Sequence, residues 1–114
     1  MPASQAPLTP AMFHVLMAVA DGDKHGYAIL KEVVEQTEGE VQLSAGTLYG
    51  IIKRLLAEGL IVEVRLQVED DDPRRRYYHL TDAGRSVAAA EAARIQRLLV
   101  RARRKRLLPL TGRA

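Results

Sequence analysis

The residues with the strongest chemical character lie between Ser44 and Glu58. Ser44 stands where a helix N-cap belongs, its hydroxyl able to accept from an exposed amide of the following turn, and the stretch after it predicts a helix to about Glu58. At about 100° per residue, Leu48, Ile51, Ile52 and Leu55 fall on one side and face a core. Gly46, Gly50 and Ala57 run along the centre of the opposite side, with Thr47, Tyr49, Lys53 and Arg54 around them. Small residues there let a helix backbone come close to another surface, and the long hydrogen-bonding side chains beside them reach phosphates or base edges in a major groove. A plain solvated face would more often carry Glu and Lys. The chemistry this pattern supports is docking against DNA.

The rest of the chain supplies elements to position that helix. Thr9-Pro10 reads as an N-cap followed by proline at the first helical position, with Met12, Phe13, Leu16, Val19 and Ala20 at helical spacing until Asp21-Gly22-Asp23. A second helix from His25 or Gly26 is expected to bury Tyr27, Leu30, Val33, Val34 and Thr37, to turn Lys31, Glu32, Glu35 and Glu38 to water, and to end at Gly39. Val41-Gln42-Leu43 is a short extended connection. Beyond Gly59, Val62 to Val68 alternates with the period of a half-buried strand. Glu69-Asp70-Asp71-Asp72-Pro73 is a polar turn, and Arg75 to Leu80 returns as the antiparallel partner. Thr81-Asp82 caps a last, alanine-rich helix that runs to about Arg106 and is broken by Leu107-Leu108-Pro109. The expected fold is mainly α with a small β-hairpin (α+β): a winged helix-turn-helix over residues 1–84, then a C-terminal dimerisation helix and basic tail over residues 85–114.

Composition narrows the classes. A chain of 114 residues with 47% apolar and 27% charged residues suits one folded domain with a modest core and leaves no room for separate substrate and cofactor domains. No apolar run approaches the roughly 20 residues that span a bilayer, and MPASQAPLTP lacks the features of a secretory signal, so a cytoplasmic protein without membrane contact is expected. The chain has no cysteine, which excludes disulfides, thiol catalysis and cysteine-ligated zinc. Net charge is +3, yet from Arg85 onward nine basic residues face Glu91 alone, a net of +8, so the first 84 residues carry −5. A DNA-binding part with that balance must place its few cations well.

The hairpin has the position of a wing, which touches the DNA backbone or minor groove beside a recognition helix. Arg74-Arg75-Arg76 supplies cations for that role, while the neighbouring acids oppose it. A solvated turn, its acids paired with these arginines, is the competing reading. In the last helix Ala88, Ala92, Ile95, Leu98, Leu99 and Ala102 share a stripe that needs a partner. It could pack on helix one of its own subunit. Pairing across a twofold axis gains more for so small a chain, and it sets two recognition helices about one DNA turn apart. Arg101 and Arg103 to Arg106 then form a basic terminus, either solvated or in contact with flanking DNA, an acidic partner or anionic lipid.

His14, His25 and His79 lie in three different elements with no partner at helical spacing, so no metal site is expected. With neither a phosphate-binding glycine loop, a nucleophile elbow nor paired carboxylates outside the acidic turn, neither an enzyme nor a cofactor is expected. The rival to DNA binding is a winged-helix module that binds another protein, encouraged by the −5 balance. RNA or membrane-surface binding would rest on the tail alone.

Three ordered segments carry a family resemblance: Lys24-His25-Gly26-Tyr27; Gly46-Thr47-Leu48-Tyr49 with Arg54-Leu55 and Glu58-Gly59-Leu60-Ile61; and Arg76-Tyr77-Tyr78-His79-Leu80-Thr81-Asp82-Ala83-Gly84-Arg85. From Leu8 to Arg85 the chain resembles the PadR family of bacterial transcriptional regulators. The resemblance implies a homodimeric winged-helix repressor on a palindromic operator in double-stranded DNA, released by a small-molecule effector. It gives DNA-contact roles to Thr47, Tyr49, Lys53 and Arg54, and with their neighbours Ser44, Gly50, Lys24, Arg74 and Arg75 complete the expected interface. The sequence departs from the family pattern at Gly50, where proline is usual, and in the acidic run of the wing. Family effectors are planar aromatic or drug-like, and this chain has only five aromatic residues and no tryptophan with which to stack them.

Overall fold

The computed structural model describes residues 8–64 and 76–109. Four helices and three short strands follow in the order α1 (Pro10–Ala18), β1 (Lys24–His25), α2 (Gly26–Gln36), α3 (Ala45–Ala57), β2 (Ile61–Val64), β3 (Tyr77–Leu80) and α4 (Asp82–Arg104). Each helix opens on a side-chain cap. The hydroxyls of Thr9, Ser44 and Thr81 accept from the amides of Met12, Thr47 and Gly84 at 3.1, 3.0 and 2.9 Å, and at α2 the Nδ1 of His25 accepts from Ala28 at 3.1 Å. These bonds satisfy amides that the first helical turn leaves without a partner. Gly39 and Gly59 carry the chain out of α2 and α3 with φ of 85° and 74°, left-handed values that disfavour a side chain.

The three helices of the amino-terminal half enclose Val15, Leu16, Ile29, Val33, Leu48, Ile52 and Leu55, and the sheet closes the core with Leu60, Ile61, Tyr78 and Leu80. As the helical wheel predicts, Leu48, Ile52 and Leu55 are the buried residues of α3, with Ile51 half-buried beside them. In α2 the buried stripe is Gly26, Ile29 and Val33; Leu30, Val34 and Thr37 are half-buried, and so is Glu32. Tyr27, expected in the core, is 67% exposed, because burying Ile29 rotates the adjoining stripe toward water.

Within the described residues the hairpin pairs antiparallel over Ile61–Val64 and Tyr77–Leu80. Ile61 pairs with Leu80 and Val64 with Tyr77. The rest of the expected wing, including the acidic turn, Arg74 and Arg75, lies outside the described residues. Two residues not read as a strand, Lys24 and His25, pair antiparallel with Tyr78 and Tyr77, so that β3 is central in the order β1-β3-β2.

The start of α4 is seated on this body. Val87 and Ala88 pack against the core, α4 contacts α1, and an Arg85 guanidinium nitrogen donates to the Ala20 carbonyl at 2.9 Å. The division expected after residue 84 falls within the first turn of α4, where Gly84 is buried under Leu60. From Ala92 to Arg101 every residue of the helix is exposed. Among the described residues no helix is long and apolar enough to cross a membrane.

Candidate nucleic-acid interface

The outer face of α3 is open. Among the described residues, a Cβ built on Gly50 would meet no atom within 4 Å, and one on Gly46 would meet only the Ser44 Oγ, at 4.0 Å. Neither glycine has the left-handed backbone found at Gly39 and Gly59. Packing among the described residues and backbone conformation therefore place no demand for glycine at either position, although glycine inside a helix costs roughly 0.5–1 kcal/mol relative to alanine. What the missing side chains provide is access to the helix backbone from outside.

The polar groups around that face differ in how free they are. The Ser44 hydroxyl caps the helix and donates to Thr47 Oγ1 at 3.0 Å, holding both exposed side chains at the start of α3. Lys53 is exposed nearly two helical turns further on. Arg54 is half-buried and its Nε donates to Glu58 Oε2 at 2.8 Å, an exchangeable pair since both side chains are about a third exposed. Tyr49 is 41% exposed, and its phenol ring lies over the backbone of Gly26, where an added Cβ would sit 2.9 Å from Cζ. Gly26 thus gives α2 and α3 a close crossing with Tyr49 in the seam. Beneath it, burial first, and then the nearby Tyr49 and Glu63, push the Tyr78 hydroxyl above the usual phenol range.

Lys24 is the clearest difference from the expected interface. Its ammonium donates to the Ala18 carbonyl at 2.6 Å and to Asp21 Oδ1 at 2.7 Å, and it lies 3.4 Å from Glu32 Oε1. Burial disfavours its charge, but the Asp21 hydrogen bond and the two carboxylates outweigh that and hold its pKa above the ordinary lysine value. In return, the hydrogen bond and charge of Lys24 hold Asp21 below the usual carboxylate range. Lys24 ties the end of α1 to α2 and is not presented outward as a contact. In the wing, Arg76 is exposed with its Nε 3.4 Å from Glu63 Oε2.

The structure brings together residues that pattern reading left apart. His25 stacks on Tyr27 with ring centroids 6.4 Å apart and planes 17° from parallel, and Tyr77 meets His25 edge-on at 5.4 Å. The available signal was the aromatic residue directly after Gly26, in the first turn of α2. His79 pairs with Asp23 at 2.7 Å and His14 stands on α1. Among the described residues no group of three or more His, Asp or Glu could hold a metal ion.

On α4 the expected stripe divides. Ala88 is half-buried against its own core, whereas Ala92, Ile95, Leu98 and Leu99 are exposed, the last three at 39, 46 and 37%. Val100 joins them at 38%, and Ala102 is half-buried.

Three helices, a three-stranded sheet ending in a hairpin and an outward-facing third helix define a winged helix-turn-helix protein. Residues 15–90 match the model of the transcriptional regulator PadR-like family. Over 85 residues, 75% of each chain, the sequence is 33% identical to the transcriptional regulator Rv3488 of Mycobacterium tuberculosis. It is 40% identical over 88 residues to an uncharacterized 37.1 kDa protein in transposon TN4556 of Streptomyces fradiae, covering 77% of this chain and spanning 24% of that protein's length. Bacillus subtilis PadR, whose crystal structure is a complex with operator DNA, shares the fold with a TM-score of 0.65 at 22% identity, covering 75% of this chain and 48% of that one. The chain belongs to the PadR family of transcriptional regulators, a family defined by regulation rather than catalysis.

Proposed function

We propose that this protein is a cytoplasmic, homodimeric repressor that recognises a palindromic operator in double-stranded DNA and leaves it when a small-molecule effector binds. The observation that carries the DNA reading is the open face of α3: glycines at 46 and 50 that nothing among the described residues requires, bordered by Thr47, Tyr49, Lys53 and Arg54. α3 enters the major groove, Ser44 and Thr47 approach the backbone at its amino end, and Lys53 and Arg54 reach phosphates or bases along its length. The wing, with Arg74 and Arg75, follows the adjoining backbone. Residues 1–84 form the DNA-binding part and residues 85–114 the dimerisation part. Support for the dimer is the exposed apolar run of α4, which a second copy would cover. For an effector, the supporting feature is an open cleft of about 350 Å³ between α4 and the body, with Leu8, Leu60 and Val87 as apolar floor and Arg94 and Arg97 on its rim.

The test is fluorescence anisotropy of the purified protein with the duplex upstream of its own gene and with a scrambled duplex of equal length, over a range of salt. Tight, sequence-dependent binding is expected, weakening as salt rises because Lys53, Arg54, Arg74 and Arg75 of each subunit displace counterions from the duplex. Equal, salt-labile binding to both duplexes would reduce the interaction to the basic tail, and no binding would favour a protein partner for the same face.

A further inference from the structure

Tyr27 is the one large hydrophobic side chain exposed on α2 among the described residues; Lys31, Glu35 and Gln36 accompany it in water. It is neither core nor isolated. Its ring lies against His25, and His25 is itself held three ways: as the N-cap of α2 through Nδ1, in the β1–β3 ladder opposite Tyr77, and edge-on by the Tyr77 ring. The platform under Tyr27 is thus anchored, so an outside contact would incur little ordering cost. Tyr27 follows Gly26 in the chain, and the Tyr49 phenol of α3 lies over Gly26. The exposed large hydrophobics of α2 and α3 among the described residues, Tyr27 and Tyr49, therefore both adjoin one glycine. Tyr27 also lies at the amino end of α2, where the helix dipole favours an anion.

We propose that Tyr27, on its His25–Tyr77 platform, is a second DNA contact: it grips the sugar–phosphate backbone flanking the groove that α3 enters, the hydroxyl donating to a phosphate and the ring lying on the sugar. This rests on the DNA reading above and adds a contact that positions α3 without reading sequence, since phosphates are the same in every duplex.

The test compares wild type, Tyr27→Ala and Tyr27→Phe by anisotropy with the upstream and scrambled duplexes, alongside thermal unfolding. Tyr27→Ala is expected to unfold as wild type does and to bind both duplexes weaker by a similar factor, about tenfold, with Tyr27→Phe in between. Two variants that bind like wild type would overturn the contact while leaving the DNA reading intact. A loss confined to the upstream duplex would overturn it too, by making Tyr27 a base reader. If wild type bound neither duplex, the DNA reading would fall and this contact with it.

Discussion

Gly26 and Tyr49 show how little distance separates packing from recognition in this fold. The Tyr49 phenol occupies the space a side chain at position 26 would need, yet the ring is 41% exposed on the surface proposed to meet DNA. An alanine at position 26 would push the ring aside, and an exposed tyrosine yields without unfolding the core. Gly26→Ala should therefore weaken DNA binding about as much as Tyr49→Ala does, and adding it to Tyr49→Ala should change nothing further, because contacting residues couple. A double-mutant cycle read by anisotropy checks this; additive losses would mean that Gly26 acts on DNA binding by another route. Lys24 makes the opposite point. Its motif position suggested a contact, but its three oxygen partners depend on the α1–α2 turn folding back on it, which no spacing rule reveals.

At the scale of elements, the joint between β2 and α4 is the least tolerant point. Leu60 is fixed there because its carbonyl accepts from the Thr81 amide at 3.1 Å, and a Cβ on Gly84 would run into that same carbonyl and lie 2.7 Å from Leu80 Cδ1. Gly84→Ala should cost about 1–3 kcal/mol, the usual range for overpacking, measured by chemical denaturation; unchanged stability would show that the helix shifts freely on the sheet. The four helices were legible because each combines a capping residue with apolar spacing near 3.6, and α3 could be oriented from its sequence alone. The strand β1 was not legible. Two residues have no period, and they are a strand only because β3 lies beside them. The rotation of α2 was misjudged for a related reason. Tyr27, Leu30, Val34 and Thr37 make a stripe as regular as Gly26, Ile29 and Val33, and only packing against α1 and α3 decides which of them is buried. The open face of α3 was legible as a pattern. The aromatic platform beside it was not, because it joins residues from β1, α2 and β3.

Along the whole chain, charge is unevenly distributed. The first 84 residues carry −5 and the remainder +8, and within the body Lys24, Arg54 and Arg76 lie against their own carboxylates. On the proposed reading, close fit adds to charge in DNA affinity, and a dimer would bring two recognition helices to one duplex. Ile95, Leu98, Leu99 and Val100 are exposed apolar side chains of α4 that the proposed dimer would cover. Leu98→Arg should give a folded monomer by light scattering and a loss of cooperative DNA binding; an intact dimer would move the interface off α4. The most direct measurement of the central claim is made on Gly50→Leu, by chemical denaturation and by anisotropy with the upstream duplex. Leucine should stabilise the helix by about 0.5–1 kcal/mol while blocking the approach of its backbone, so the account predicts a more stable protein whose DNA affinity falls more than about tenfold. A more stable protein that binds the duplex as tightly as wild type would contradict it, for the open face of α3 would then not be where DNA docks.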